Sequence, residues 1–243
     1  MSFLKYATLA VLLVSAAHAG DAPPLTDAII HDYLIRHPEV LIEMTQILDD
    51  RQRVADAEQA KKGIAENQAA LFRDPRDPVL GNPKGDVTIV IFQDKECPYC
   101  KAIAPDIAKL YASDKGVRVV YKEFPILGTG STIAAHAALA AMKQGKFEDF
   151  NARLFADKTP EHQLTEAHIL EIAKASGIDL ARLKADMAAP EIDSLIADNK
   201  RLADKIGING TPGILVGDHL APGAVPYEDL VSMVADQRAA AKH

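Results

Sequence analysis

The sequence predicts an α/β protein, and two observations carry the prediction. Two apolar runs rich in β-branched residues, Val87 to Gln93 and Val117 to Tyr121, flank one amphipathic helical stretch, which is the pattern of parallel strands covered on both faces. Strand character then disappears until Gly213 to Val216, and the stretch from Leu25 to Phe72 reads as helix. The expected order is helical arm, strand, helix, strand, helical block, hairpin, helix.

The chain opens on a targeting pattern. Lys5 is a positive n-region, Tyr6 to Val14 an apolar core, and Ala17-His18-Ala19 a small-residue cleavage site, so residues 1–19 read as a secretory signal peptide and the mature chain is expected to begin at Gly20. The apolar run falls short of the roughly 20 residues that a membrane span needs. A secreted, periplasmic location is the expectation. The formal charge is −7, and one unit more negative without Lys5, which argues against nucleic acid as a partner because sequence-independent binding rests on basic patches.

Residues 20–72 are helical in composition. Leu25, Ile29, Ile30, Tyr33 and Leu34 recur at helical spacing, and Pro38 suits the first turn of a second helix. Val40, Leu41, Met44, Ile47 and Leu48 continue the stripe, which thins beyond Arg51. Two readings follow: the helices pack on their own domain, or they form an oligomerisation arm that buries its stripe against copies of itself. Residues 73–86 hold Pro75, Pro78, Gly81, Pro83 and Gly85, and such punctuation marks a linker.

The domain proper is expected over 87–243. A helix from Pro98 to about Tyr111 joins the two buried strands into a right-handed βαβ unit. Helices follow at Ser131 to Met142, Phe147 to Phe155, Thr165 to Ser176, Leu180 to Met187 and Glu191 to Ile206, with Thr165 as a cap. A hairpin at Gly213 to Leu220, turning at Gly217-Asp218, and a last helix from Tyr227 to about Arg238 complete the order.

The only two cysteines are in Cys97-Pro98-Tyr99-Cys100, directly after the first strand. A cysteine at a helix start meets unpaired backbone N–H groups and the positive end of the dipole, both of which favour thiolate. Cys97 is therefore expected to be the exposed nucleophile and Cys100, one turn further in, the shielded resolving thiol. Lys95 would favour the Cys97 thiolate and Glu96 oppose it. A structural cystine would close too small a loop to stabilise much. Zinc would need further ligands, and the histidines form no close H-x-H or H-x-x-x-H pair. Two thiolates could also hold a soft cation such as Cu(I). His136 is assigned no role, and Glu161, His162 and His168 read as surface charges near a turn.

A second constellation, Gly207-Ile208-Asn209-Gly210-Thr211-Pro212-Gly213, precedes the hairpin. Taken with Cys97-Pro98-Tyr99-Cys100, the helical block and the terminal hairpin and helix, it makes the chain resemble the DsbA-like thioredoxin-fold disulfide oxidoreductases from Asp86 to about Arg238. The stretch from Ile30 to Arg51, with His37-Pro38-Glu39-Val40-Leu41, and then Asp77-Pro78-Val79-Leu80-Gly81-Asn82-Pro83, is similar to the suppressor of copper sensitivity protein C (ScsC) branch. The resemblance implies a thioredoxin fold with a helical insertion at about 128–206 and an N-terminal arm that assembles dimers or trimers. It implies Pro212 as a cis-proline facing the cysteines, Thr211 as a residue whose backbone pairs with substrate, and Pro98 and Tyr99 as further substrate contacts. Pro-Tyr between the cysteines departs from the Pro-His of strongly oxidising DsbA proteins.

The expected function is thiol-disulfide exchange in secreted proteins, tilted by the arm toward isomerisation or reduction. It needs no organic cofactor and no metal, and it needs a membrane redox partner to reset the cysteine pair. The alternatives are a disulfide-forming oxidase, a Cu(I)-binding copper-tolerance protein using the same cysteines, and a chaperone-like adaptor whose thiols are incidental.

Overall fold

The structure, a computed structural model, describes residues 26–221 and 223–241; the expected signal peptide lies outside them. The chain divides between Arg51 and Gln52 into two compact units. The first holds α1 (Asp27–Arg36) and the start of α2 (Glu39–Glu66). No residue of α1 is buried, and Ile29, Tyr33, Leu41, Ile42, Met44 and Leu48 all stand exposed.

The second unit is built on a mixed sheet. Its strands are β1 (Val79–Gly81), β2 (Val87–Gln93), β3 (Val117–Glu123), β4 (Gly213–Val216) and β5 (His219–Leu220), in the order β1-β3-β2-β4-β5. β2 and β3 run parallel, joined by α4 (Pro98–Ser113), and the other pairings are antiparallel. Between β3 and β4 the chain makes α5 (Thr129–Met142), α6 (Phe147–Ala156), α7 (Glu166–Ala175), α8 (Leu180–Met187) and α9 (Pro190–Lys205); α10 (Tyr227–Ala240) closes it. Thr165 caps α7 as expected, its side chain accepting the His168 N–H. This is a thioredoxin fold with an inserted helical block.

Alternate strand residues feed two cores. Ile89, Ile91, Val119 and Tyr121 face one side with α4 and the inserted helices, whereas Val90, Phe92, Val120 and Leu215 face the other. That second core recruits Ile64 of α2 and Leu71 of α3 (Gln68–Phe72). The stretch read from sequence as one arm over 20–72 is therefore divided: residues from Gln52 onward belong to the second unit, and Ala60, Gly63 and Ile64 are buried in it.

The 73–86 stretch also differs from its reading as a linker that breaks helix and strand. Val79–Gly81 pairs with β3 as an edge strand, fitted between Pro78 and the positive φ of Gly81. Three residues suffice because an edge strand needs pairing on one side only. Just before it, Asp77 is buried against Lys122.

Candidate active site

The register of the sheet brings the two sequence motifs together. β2 ends at Gln93, Phe92 pairs with Gly213 of β4, and so the loop leaving β2 and the loop entering β4 meet at one edge. Cys97 is the N-cap residue of α4 in extended backbone geometry, with Pro98 in the first turn, where its missing N–H costs nothing. The Thr211–Pro212 peptide bond is cis. In its thiol form Cys97 donates from Sγ to the carbonyl oxygen of Thr211, 3.2 Å away.

Cys100 is buried, as expected, but Cys97 is only 4% exposed. The reading of Cys97 as an exposed nucleophile is corrected to this extent: the Thr211 loop covers it. What remains open to solvent is Pro98 and Tyr99, the latter 66% exposed, together with the exposed Ile126.

The two thiols titrate apart. Hydrogen bonding from the Cys100 thiol, then from the Thr211 side chain and from the backbone N–H groups of Cys100 and Tyr99, outweighs burial and lowers Cys97 to about 6. Burial, reinforced by the Cys97 contact, pushes Cys100 far upward. At neutral pH the pair is one thiolate beside one thiol that keeps its proton.

The charges around the motif are arranged differently from the sequence reading, because all of them are buried. Asp94 accepts from the backbone N–H groups of Glu96, Ile126 and Leu127 and from Ser131 Oγ. Glu96 accepts from the Leu164 N–H at 3.0 Å and from Ser131 Oγ at 3.1 Å. These carboxylates anchor the loop before Cys97 to the inserted helices. Lys95 turns inward to Glu123, 2.7 Å away with both side chains fully buried, and lies over the Phe155 ring. Burial pushes Lys95 down and Glu123 up, against their mutual attraction. Gln93 and Asn151 complete this polar cluster.

Sequence reasoning assigned no place to Asp94, Glu123 or Asn151. The sequence carried little signal for them: Asp94-Lys95-Glu96 follows the strand directly, but charges after a strand read as a solvated loop, and their burial comes from the inserted helices packed over them. Glu161 and His162 are exposed, as read, whereas His168 is half-buried; both histidines have partners. His168 Nε2 sits 2.7 Å from Asp157, and His162 Nδ1 2.6 Å from the Leu127 carbonyl oxygen. His136 contacts the Met187 carbonyl and Asp193.

A family model described as thioredoxin matches residues 73–236. The chain belongs to the thioredoxin family. A second model, the copper resistance protein ScsC N-terminal domain, matches residues 27–55. Among solved structures, a thioredoxin-like oxidoreductase from Silicibacter pomeroyi is 46% identical, with a TM-score of 0.68 over 71% of this chain and 98% of that one. A linker-deletion mutant of Proteus mirabilis ScsC is 28% identical, with a TM-score of 0.70 over 90% of this chain and 99% of that one. The thiol-disulfide exchange protein alpha-DsbA2 of Wolbachia pipientis is 31% identical, with a TM-score of 0.69 over 75% of this chain and 97% of that one. The expected likeness to ScsC and DsbA-like proteins is thus observed.

Curated relatives include disulfide bond formation protein D of Bacillus subtilis, 29% identical over 63% of this chain and 73% of that protein. The Na(+)/H(+) antiporter NhaA 3 of Salinispora tropica is 28% identical over 96% of this chain. The chain spans only 36% of that antiporter's length. Among the described residues no helix is long and apolar enough to cross a membrane.

Proposed function

We propose that the protein is a periplasmic thiol-disulfide oxidoreductase that corrects or reduces disulfides in secreted proteins, with Cys97 as nucleophile and Cys100 as resolving thiol. The observation that carries this is the placement of Cys97 at the N-cap of α4, 3.2 Å from the Thr211 carbonyl beside the cis-proline, with Cys100 buried behind it. A Cys97 near 6 is ionised at neutral pH, and Cys100 stays a thiol until it is needed.

The Cys97 thiolate attacks one sulfur of a client disulfide; the client S–S bond breaks, a Cys97–client bond forms, and the displaced sulfur leaves as thiolate. In isomerisation, another client thiolate attacks the client sulfur of this mixed disulfide and Cys97 leaves unchanged, with no net redox. In reduction, Cys100 gives up its proton and attacks Cys97 Sγ, closing the Cys97–Cys100 disulfide and leaving the client with two more electrons. The reverse sequence oxidises clients. Thr211, Pro212, Pro98 and Tyr99 border the attacking sulfur and form the client contact. Reduction leaves the pair oxidised, so a membrane redox partner resets it.

The exposed apolar stripe of residues 29–48 supports an oligomerisation arm, as a dimer or trimer, which holds several active sites around one client and raises their effective concentration. Reactivation of a scrambled-disulfide protein tests the reading with the full chain, Cys97→Ser, and a chain beginning at Gln52, where the compact unit starts. The full chain reactivates, Cys97→Ser does not, and the shortened chain keeps simple disulfide reduction but loses most isomerisation. Equal isomerisation by full and shortened chains would remove the arm's role, and activity in Cys97→Ser would remove the redox reading.

The copper-resistance description of the matched N-terminal region supports a second reading, Cu(I) held by Cys97 and Cys100. Anaerobic Cu(I) titration against a competing chelator tests it, and weak binding dismisses it.

A further inference from the structure

Among the described residues of the second unit, four large apolar side chains stand exposed: Val54, Tyr99, Ile126 and Val231. Apolar residues scattered singly over a surface are ordinary, but two of these four flank the cysteine pair. Tyr99 lies between the cysteines, and Ile126 precedes Leu127, which packs against the cluster of Cys97, Cys100 and Phe155.

The segment that carries Ile126 is held from both sides. Asp94 Oδ2 accepts the Ile126 and Leu127 N–H groups at 2.7 and 3.0 Å, and the Asp94 backbone carbonyl accepts the Cys97 N–H at 3.3 Å. The Leu127 carbonyl oxygen lies 2.6 Å from His162 Nδ1, and the Gly128 carbonyl accepts the Thr132 N–H at 3.1 Å. One buried residue, Asp94, thereby fixes Ile126 and Cys97 relative to each other, so a contact made on Ile126 costs little further ordering.

The charges nearest in sequence are withdrawn from this surface. Asp94, Lys95 and Glu96 lead into Cys97, Lys122 and Glu123 end β3 just before the Ile126 segment, and all five are at most 2% exposed. Their partners lie inside the protein. Pro98, Tyr99, Ile126 and Thr211, which carry no charge, are left around the attacking sulfur. A charged client side chain meets no counter-charge on them, whereas an apolar one removes apolar surface from water on both partners.

We propose that Ile126, beside Tyr99, is a specificity-determining residue that selects clients with a large apolar residue next to the cysteine that Cys97 attacks. This rests on the thiol-disulfide reading and names the client class for it.

The probes are blocked pentapeptides with a central cysteine flanked on both sides by phenylalanine, serine, aspartate or lysine, each supplied as its symmetrical disulfide. The reduced full-length protein is mixed with each in a single turnover, at about 0.5 M salt to screen the net charge of the chain. Each rate is divided by the rate of the same peptide with reduced glutathione, which removes the reactivity of the peptide itself. The phenylalanine peptide should react about tenfold faster than the serine peptide, the scale of one partly buried apolar contact, and neither charged peptide should approach it. Ile126→Ser should lose most of this preference and Ile126→Leu keep it; Ile126→Thr, closer in shape, serves as the polar variant should the serine variant not fold. Because the ratio compares two peptides on one protein, any change in Cys97 itself cancels. Equal rates for the phenylalanine and serine peptides, a charged peptide as fast as the phenylalanine one, or an unchanged ratio in the folded polar variant would overturn the assignment. Reaction with none of the peptides would overturn the thiol-disulfide reading itself.

Discussion

The Cys97 sulfur lies 3.2 Å from the carbonyl oxygen of Thr211, across 114 positions of chain. The β2–β4 pairing makes the contact, since Phe92 opposite Gly213 brings both loops to the same edge. The Thr211 side chain is also one of the hydrogen-bonding groups that lower Cys97 to about 6. Alkylation by iodoacetamide should accordingly rise through a midpoint near pH 6, and in Thr211→Val that midpoint should move up toward the ordinary thiol value.

Stability of the dithiol form follows with a defined sign. The folded value of Cys97 is below its ordinary 9.0, so its contribution is complete above about pH 9 and is lost as pH falls through about 6. The melting-temperature gap between the reduced wild type and Cys97→Ala should widen in favour of the wild type as pH is raised from 6 to 9.

Cys100 supplies the largest of the effects that lower Cys97. Cys100→Ala should raise the Cys97 alkylation midpoint further than Thr211→Val does. Because the resolving thiol is gone, it should also leave mixed disulfides that persist, visible as client adducts on non-reducing gels.

On the opposite face of the sheet, Lys122 meets Asp77 and donates to the Ala70 carbonyl at 2.6 Å, with both charged side chains buried. Lys122→Met leaves the Asp77 carboxylate buried and unpaired. The expected cost is about 3–5 kcal/mol in urea unfolding, much of it recovered in the Asp77→Leu, Lys122→Met double variant.

Gly63 inverts the usual rule for helical glycine. Gly→Ala inside a helix normally gains about 1 kcal/mol, but a Cβ here would sit 2.4 Å from the Lys205 carbonyl oxygen. Gly63→Ala should instead destabilise the fold by on the order of 1–3 kcal/mol, as an overpacked contact does, and so lower the thermal midpoint.

Much of this was legible in the residues. The strands Val87 to Gln93 and Gly213 to Val216 and the helix Leu180 to Met187 stand where β-branched runs and apolar periodicity put them, because those patterns report burial directly. β1 escaped notice because three residues between prolines and glycines carry no periodicity; only the free edge of β3 makes them a strand. The second half of α2 and the short α3 read as arm because their apolar residues are sparse, yet Ile64 of α2 and Leu71 of α3 fill the far core.

For the site, local chemistry was enough to pick out Cys97 and Cys100, since thiols two residues apart at a helix start are informative without any partner. By itself the sequence determined the sheet-forming runs, the helical block and the reactive motif, all of which depend on neighbours along the chain. Only the tertiary structure decided that Thr211 covers Cys97, that Lys95 faces Glu123 rather than the motif, and that Asp94 ties Ile126 and Leu127 to the loop before Cys97. Those relationships depend on strand register and burial, which bring together residues from distant parts of the chain.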